Sequence, residues 1–159
     1  MNRHAGVSAI LFALIFSLLL PSSGARAQDL DFTDLRGTLP SGTTTLSGTV
    51  TVTGDLTIPS DGTLIVQAGT TVRVEDYWTS IFVEGALQIN GTSTSSVTFT
   101  SLGGNSESPW GGIKFHPGSS GSVTHAQFSY GSGELSGIIE IDDASVTVRQ
   151  STFRDSDED

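Results

Sequence analysis

Between Asp61 and Phe99, apolar and polar residues alternate in short runs, and the pattern occurs twice, as DGTLIVQAGTTVRVE and then EGALQINGTSTSSVTFTS. The copies start 23 positions apart (Gly62 to Gly85, Leu64 to Leu87, Val66 to Ile89) and end 25 apart (Val72 to Val97). Each run alternates over three to five positions before Gly, Asn, Asp or Ser interrupts it, the period of a strand followed by a turn. With Leu56-Thr57-Ile58 and Ile81-Phe82-Val83 just upstream, every unit supplies three short strands in about 23 residues, a repeat of one supersecondary unit. The same period organises the rest of the chain. Val50 and Val52, then Leu56, Ile58, Leu64, Val66, Val72 and Val74, then Ile81, Val83, Leu87, Ile89, Val97 and Phe99 are expected to point inward. A looser unit comes next with Ile113, Phe115, Val123, His125, Phe128 and Tyr130 inward, and a last one with Ile139, Ile141, Val146, Val148 and Phe153. Such units need stacking, because each alone buries too few side chains to offset its ordering entropy.

The phrases GTTVRVE, GALQINGT…VTFTS and WGGIKF resemble the right-handed parallel β-helix repeats of secreted bacterial surface and pectate-lyase-like proteins, over about Thr49 to Phe153. The fold expectation is therefore all-β: a right-handed parallel β-helix (solenoid) of about four coils of three short strands, with an N-terminal cap. Residues 46–159 are expected to form the β-helix domain, with further coils expected beyond Asp159. Residues 28–45, where Leu30, Phe32 and Leu35 are irregularly spaced before Pro40-Ser41-Gly42, are expected to cap the open end of the stack.

Residues 1–27 stand apart. Arg3 and His4 precede the apolar run Val7 to Leu20, and Ala25-Arg26-Ala27 closes it with an A-x-A-like site, so a secretory signal peptide cleaved after Ala27 is expected. The run is shorter than the roughly 20 apolar residues of a membrane span. The expectation is an exported bacterial protein, secreted or at the cell surface, without a membrane span in its mature chain. The whole chain carries a formal charge of −10; without Arg3 and Arg26 five basic residues face seventeen acidic ones, giving −12. Nucleic acid is thereby excluded as a partner, since phosphate binding needs a basic stripe. There is no cysteine, so stability must come from stacking alone.

Enzymes of the resembled type place catalytic groups on the outward face of one strand column. The outward columns here are Thr57, Phe82, Lys114 and Glu140; Ile65, Gln88, Thr124 and Thr147; and Arg73, Thr98 and Ser129. None supplies the two carboxylates of glycoside hydrolysis, and the calcium-binding cluster with a nearby Arg that a pectate lyase would want has no match, so no catalytic residue is assigned. Asp61, Glu84, Asp142 and Asp143 occupy the turn after the first strand in three units. They are candidate Ca²⁺ ligands along one corner, or simply turn formers. Two insertions, Asp76 to Thr79 and Ser101 to Trp110, should emerge on a common corner. They bring Tyr77, Trp78 and Trp110 together as a candidate ligand-binding platform, with Trp110 folding back onto the coil beneath as the competing expectation. No other cofactor is expected. The functional expectation is a non-catalytic scaffold for adhesion or for contact with a polysaccharide or surface partner. The alternatives are a polysaccharide lyase or glycoside hydrolase whose catalytic coils lie beyond residue 159, and a carbohydrate-binding module.

Overall fold

The computed structural model describes residues 33–131 and 134–156. The expected signal peptide, its cleavage position at Ala27 and the first residues of the expected cap lie outside these. Among the described residues there are fourteen strands and no helix. They come in sets of three. The first set is β1 (Leu35–Thr38), β2 (Gly42–Leu46) and the opening half of β3 (Thr49–Ile58); the closing half of β3 begins the second set with β4 (Gly62–Gln67) and β5 (Thr71–Val74). The third is β6 (Ser80–Val83), β7 (Ala86–Asn90) and β8 (Val97–Ser101), and the fourth is β9 (Gly112–Phe115), β10 (Ser120–Thr124) and β11 (Ala126–Ser129). The last set is β12 (Ile139–Ile141), β13 (Ser145–Arg149) and β14 (Thr152–Arg154).

Each strand pairs in parallel with its equivalent in the neighbouring set. The middle strands form a five-stranded sheet, β13-β10-β7-β4-β2; the first and third strands form a nine-stranded sheet, β12-β9-β6-β3-β5-β8-β11-β14, with β1 also on β3. The protein is thus all-β, with parallel sheets curled into a half-barrel. Leu64 lies opposite Leu87 and Val66 opposite Ile89, as the sequence repeat requires, but Val72 lies opposite Phe99 and not the expected Val97, which pairs with Ala126. Alternation does the rest: in a strand successive side chains point to opposite faces, and the apolar residue of each pair turns inward. Val50, Val52, Leu56, Ile58, Val66, Val74, Val83, Ile89, Phe115, Val123 and Phe128 are all fully buried in one core.

Three expectations are corrected. The part of the 28–45 segment that is described joins the ladder: β1 pairs with β3 and β2 with β4, so Leu35 and Leu46 are core residues and there are five sets of strands, where about four coils were expected. The Gly-Thr-Thr-Thr-Leu run of β2 hides this in sequence, because only Leu46 is apolar. His125 and Tyr130 are not inward strand residues. Both sit at bends in left-handed conformation (φ 48° and 57°), just beyond the buried residues Val123 and Phe128.

Bends recur with the repeat. Gly118, His125 and Tyr130 have positive φ, and so do Asp143, Gln150 and Asp155, each 25 positions later. Gly118 also donates its N–H to the Asp143 carbonyl at 2.9 Å. From the second set on, the third connection is where the chain departs from regularity, at residues 75–79, 102–111 and, among the described residues, 130–131 and 134–138. These exits lie over one another: Gly111 donates to the Thr79 carbonyl, and Trp110 to that of Tyr130.

Candidate functional site

The candidate site is the outer face of β6, β9 and β12 and the exits beside it. Thr57, Phe82, Lys114 and Glu140 stand in one row across β3, β6, β9 and β12, the first outward column read from sequence. At its upper end the Lys114 ammonium Nζ meets Glu140 Oε1 at 2.7 Å, with about a quarter of each side chain exposed (27% and 26%). The Ser136 backbone N–H reaches the other carboxylate oxygen at 3.4 Å. The hydrogen bond from Lys114, then that from Ser136, holds the Glu140 carboxyl below the usual carboxylate range. The bond to Glu140 raises Lys114 above its ordinary value, against the opposing effect of burial and with added attraction from Asp142. At neutral pH both groups are therefore charged.

A second row adjoins the first. Ladder hydrogen bonds run past the strand ends, from Glu84 N–H to the Ile58 carbonyl, from His116 to Val83 and from Asp142 to Phe115. They set Glu84, His116 and Asp142 on successive strands, with the Phe82 and His116 rings 5.9 Å apart. Glu84 and Asp142 are corner positions already read from sequence; the structure adds that they and His116 prolong the strand ladder, at the i, i+2 step from Lys114 to His116 and from Glu140 to Asp142.

On the other side of the face, Asp76 builds the first exit. Its Oδ1 accepts from the Trp78 N–H and from the Thr79 hydroxyl, both at 3.0 Å, and its carbonyl accepts from the Thr79 N–H at 3.1 Å. This local bonding of Asp to backbone two residues on is a turn that fixes the direction of the chain at its tip. It presents Tyr77 and Trp78 outward, 43% and 68% exposed, in an edge-to-face pair with ring centroids 4.9 Å apart.

Trp110 does not join them. Its backbone lies beside the Asp76 exit, but its side chain is fully buried, close to stacked on Phe99 at 6.2 Å, and its indole N–H donates to the Ser129 carbonyl at 3.0 Å. A Trp can enter a core only where its N–H finds an acceptor, and the neighbouring strand supplies one. The expected platform of three aromatics is therefore a pair.

The four acidic candidates lie along one corner without converging. The Asp61 carbonyl accepts from Gly42 N–H and that of Asp143 from Gly118 N–H, while His116-Pro117-Gly118 separates Glu84 from Asp142. Among the described residues no group of three or more His, Cys, Asp or Glu side chains gathers to hold a metal ion.

The other two outward columns also shift. Gln88 lies beside Ser122, which lies beside Thr147, so Ser122 takes the place expected for Thr124; Thr124 pairs with Arg149. Arg73 is beside Thr100, and Thr98 beside Gln127. The Ser129 hydroxyl donates to Thr100 Oγ1, and Arg73 is spent on the Leu102 carbonyl at 3.2 Å, tying down the second exit. Among the described residues no helix is long and apolar enough to cross a membrane. Comparison with family models, with curated proteins and with solved structures finds no match.

Proposed function

We propose that this chain winds as a right-handed parallel β-helix, similar in architecture to secreted bacterial surface and pectate-lyase-like proteins, and serves outside the cell as a non-catalytic scaffold that contacts a polysaccharide or surface partner. The observation that carries the reading is the Asp76 exit, where two aromatic rings are held outward by hydrogen bonds from their own turn. Exposing a Trp to water and fixing it there forgoes the burial that Trp110 obtains, and aromatic faces of this kind stack on sugar rings and on partner side chains. Parallel pairing across the five sets, in unbroken register from β2 to β13 in the five-stranded sheet, supports the stiff scaffold.

The charged pair on the face favours contact over turnover. A proton carrier works best with a pKa near the operating pH, whereas Lys114 and Glu140 push each other away from neutrality in opposite directions. A second reading, a polysaccharide lyase or glycoside hydrolase, draws on Glu140 and Asp142, two carboxylates two positions apart beside one face, the residue types that glycoside hydrolysis uses. The test is retention of the exported protein on immobilised glycans, alongside its melting curve. Trp78→Ala should cut retention about tenfold, a loss typical of one stacking contact of ~1–2 kcal/mol, and leave the melting midpoint within a degree or so. Unchanged retention sinks the reading. New unsaturated or reducing ends released from the same glycans would establish the enzymatic alternative.

A further inference from the structure

The strands of the five-stranded sheet contain no aspartate and no glutamate, in a chain that has seventeen acidic residues. The acids among the described residues lie at bends, in loops and in the other sheet. What this sheet shows outward is mostly hydroxyl, amide and methyl, with Ile65 as the one large apolar side chain, in rows kept in register from strand to strand. Toward β13 a shallow groove crosses the strands, lined by Ala86, Gln88, Ser120, Ser122, Ser145 and Thr147. Arg149, at the end of β13, is the one charged residue of the sheet's strands.

We propose that this face is a binding surface for a neutral polysaccharide chain lying across the strands. The proposal rests on the scaffold reading above and names the ligand class for it, on a second surface away from the aromatic exit. Three physical points carry it. Strands follow one another about every 4.8 Å, so the row Gln88, Ser122 and Thr147 repeats donors and acceptors over about 10 Å, with Thr45 resuming it beyond Ile65, which suits a ligand whose own hydroxyls recur. Ser and Thr hydroxyls and the Gln88 amide both donate and accept, which matches polyhydroxyl chemistry and leaves no buried charge to compensate. An acidic polymer would instead approach a protein of net charge −10 against long-range repulsion. A second copy of the chain is the weaker occupant, because a stable protein interface needs an apolar or aromatic core over about 800 Å² per partner, and Ile65 is the one large apolar residue that this face turns outward.

The experiment is native affinity electrophoresis through gels containing a neutral β-glucan or a galactomannan, with polygalacturonate as the charged comparison. Wild type should be retarded by at least one neutral polymer and not by polygalacturonate, and raising the salt should leave the retardation unchanged. Ser122→Glu should weaken it at least tenfold. Ser122→Gln, neutral at the same place, and Thr49→Glu, the same charge on the other sheet, should stay at wild-type level. If Ser122→Glu does not fold, Ser145→Glu carries the same test. Wild-type retention in the folded Glu variant overturns the proposal; if Trp78→Ala abolishes retention in that case, the aromatic-exit reading survives alone. Retardation by polygalacturonate only, by no polymer, or by self-association that Ser122→Glu dissolves also overturns it, and only the absence of retardation by every polymer counts against the glycan arm of the scaffold reading as well.

Discussion

Gly121 and Phe115 share one space. Gly121 sits in the inward column between Leu87 and Val146, and a Cβ built there would lie 2.6 Å from Cε1 and 2.8 Å from Cζ of the Phe115 ring. The large side chain of one strand fills the gap left by the absent one of the next. Gly121→Ala should therefore overpack the core and cost about 1–3 kcal/mol, read as a lower denaturant midpoint with an unchanged slope. Phe115→Leu in the same chain should recover part of it. A midpoint equal to wild type in the single variant would disprove the pairing. Complementarity of this kind is not visible in the pattern of apolar residues, which is why the set from Ile113 to Tyr130 reads as loose although its core positions are fully buried. The two tryptophans give the same lesson. Their residue type marks both as conspicuous, but only the Ser129 carbonyl beside one and the Asp76 turn beneath the other decide which is core and which is surface.

Among the elements, β9 and β12 bear the one charged pair of the face, and its two pKa shifts have opposite signs. The folded pKa of Glu140 is lowered, so its stabilisation is present above the ordinary carboxyl pKa and is lost as pH falls through the folded value. That of Lys114 is raised, so its stabilisation is present below the ordinary lysine pKa and is lost as pH rises through the folded value. The contribution is flat across neutral pH and fades at both ends. The gap in melting temperature between wild type and Glu140→Gln should accordingly be widest near neutrality and close toward strong acid and strong base; a gap that keeps growing in acid would contradict the sign. The row holding this pair is legible in sequence, since the spacing of Phe82, Lys114 and Glu140 follows the repeat. Register is lost where an insertion or a polar strand breaks the count: Thr124 takes the place of Ser122 in the sequence pattern after the longer His116–Ser119 bend, and β2 reads as part of a cap.

At the scale of the molecule, burial is uneven along the stack. Ile141, Val148 and Phe153 are 50%, 41% and 45% exposed, whereas their partners one set earlier, Phe115, Val123 and Phe128, are fully buried. The Phe99, Phe128 and Phe153 rings continue the same stack, 5.1 and 4.9 Å apart, to an open outer face. Amide hydrogen exchange should report a gradient, with β4 and β7 exchanging slowest and β12, β13 and β14 fastest, because local opening tracks buried apolar contact. Protection of β13 equal to that of β7 would show that the last set is covered in solution. The repeat pattern alone cannot reveal this asymmetry, because it depends on neighbours and not on the residues of the set itself.

The bends that return after 25 positions, from Gly118 to Asp143, His125 to Gln150 and Tyr130 to Asp155, have a corollary for how such a chain can change length. A module copied whole brings its own corners with it and leaves the inside-outside alternation on either side intact, whereas gaining a single residue within a strand would turn every later side chain of that strand inside out. Changes of length are thereby confined to whole strand sets, 25 residues at a time where these bends repeat.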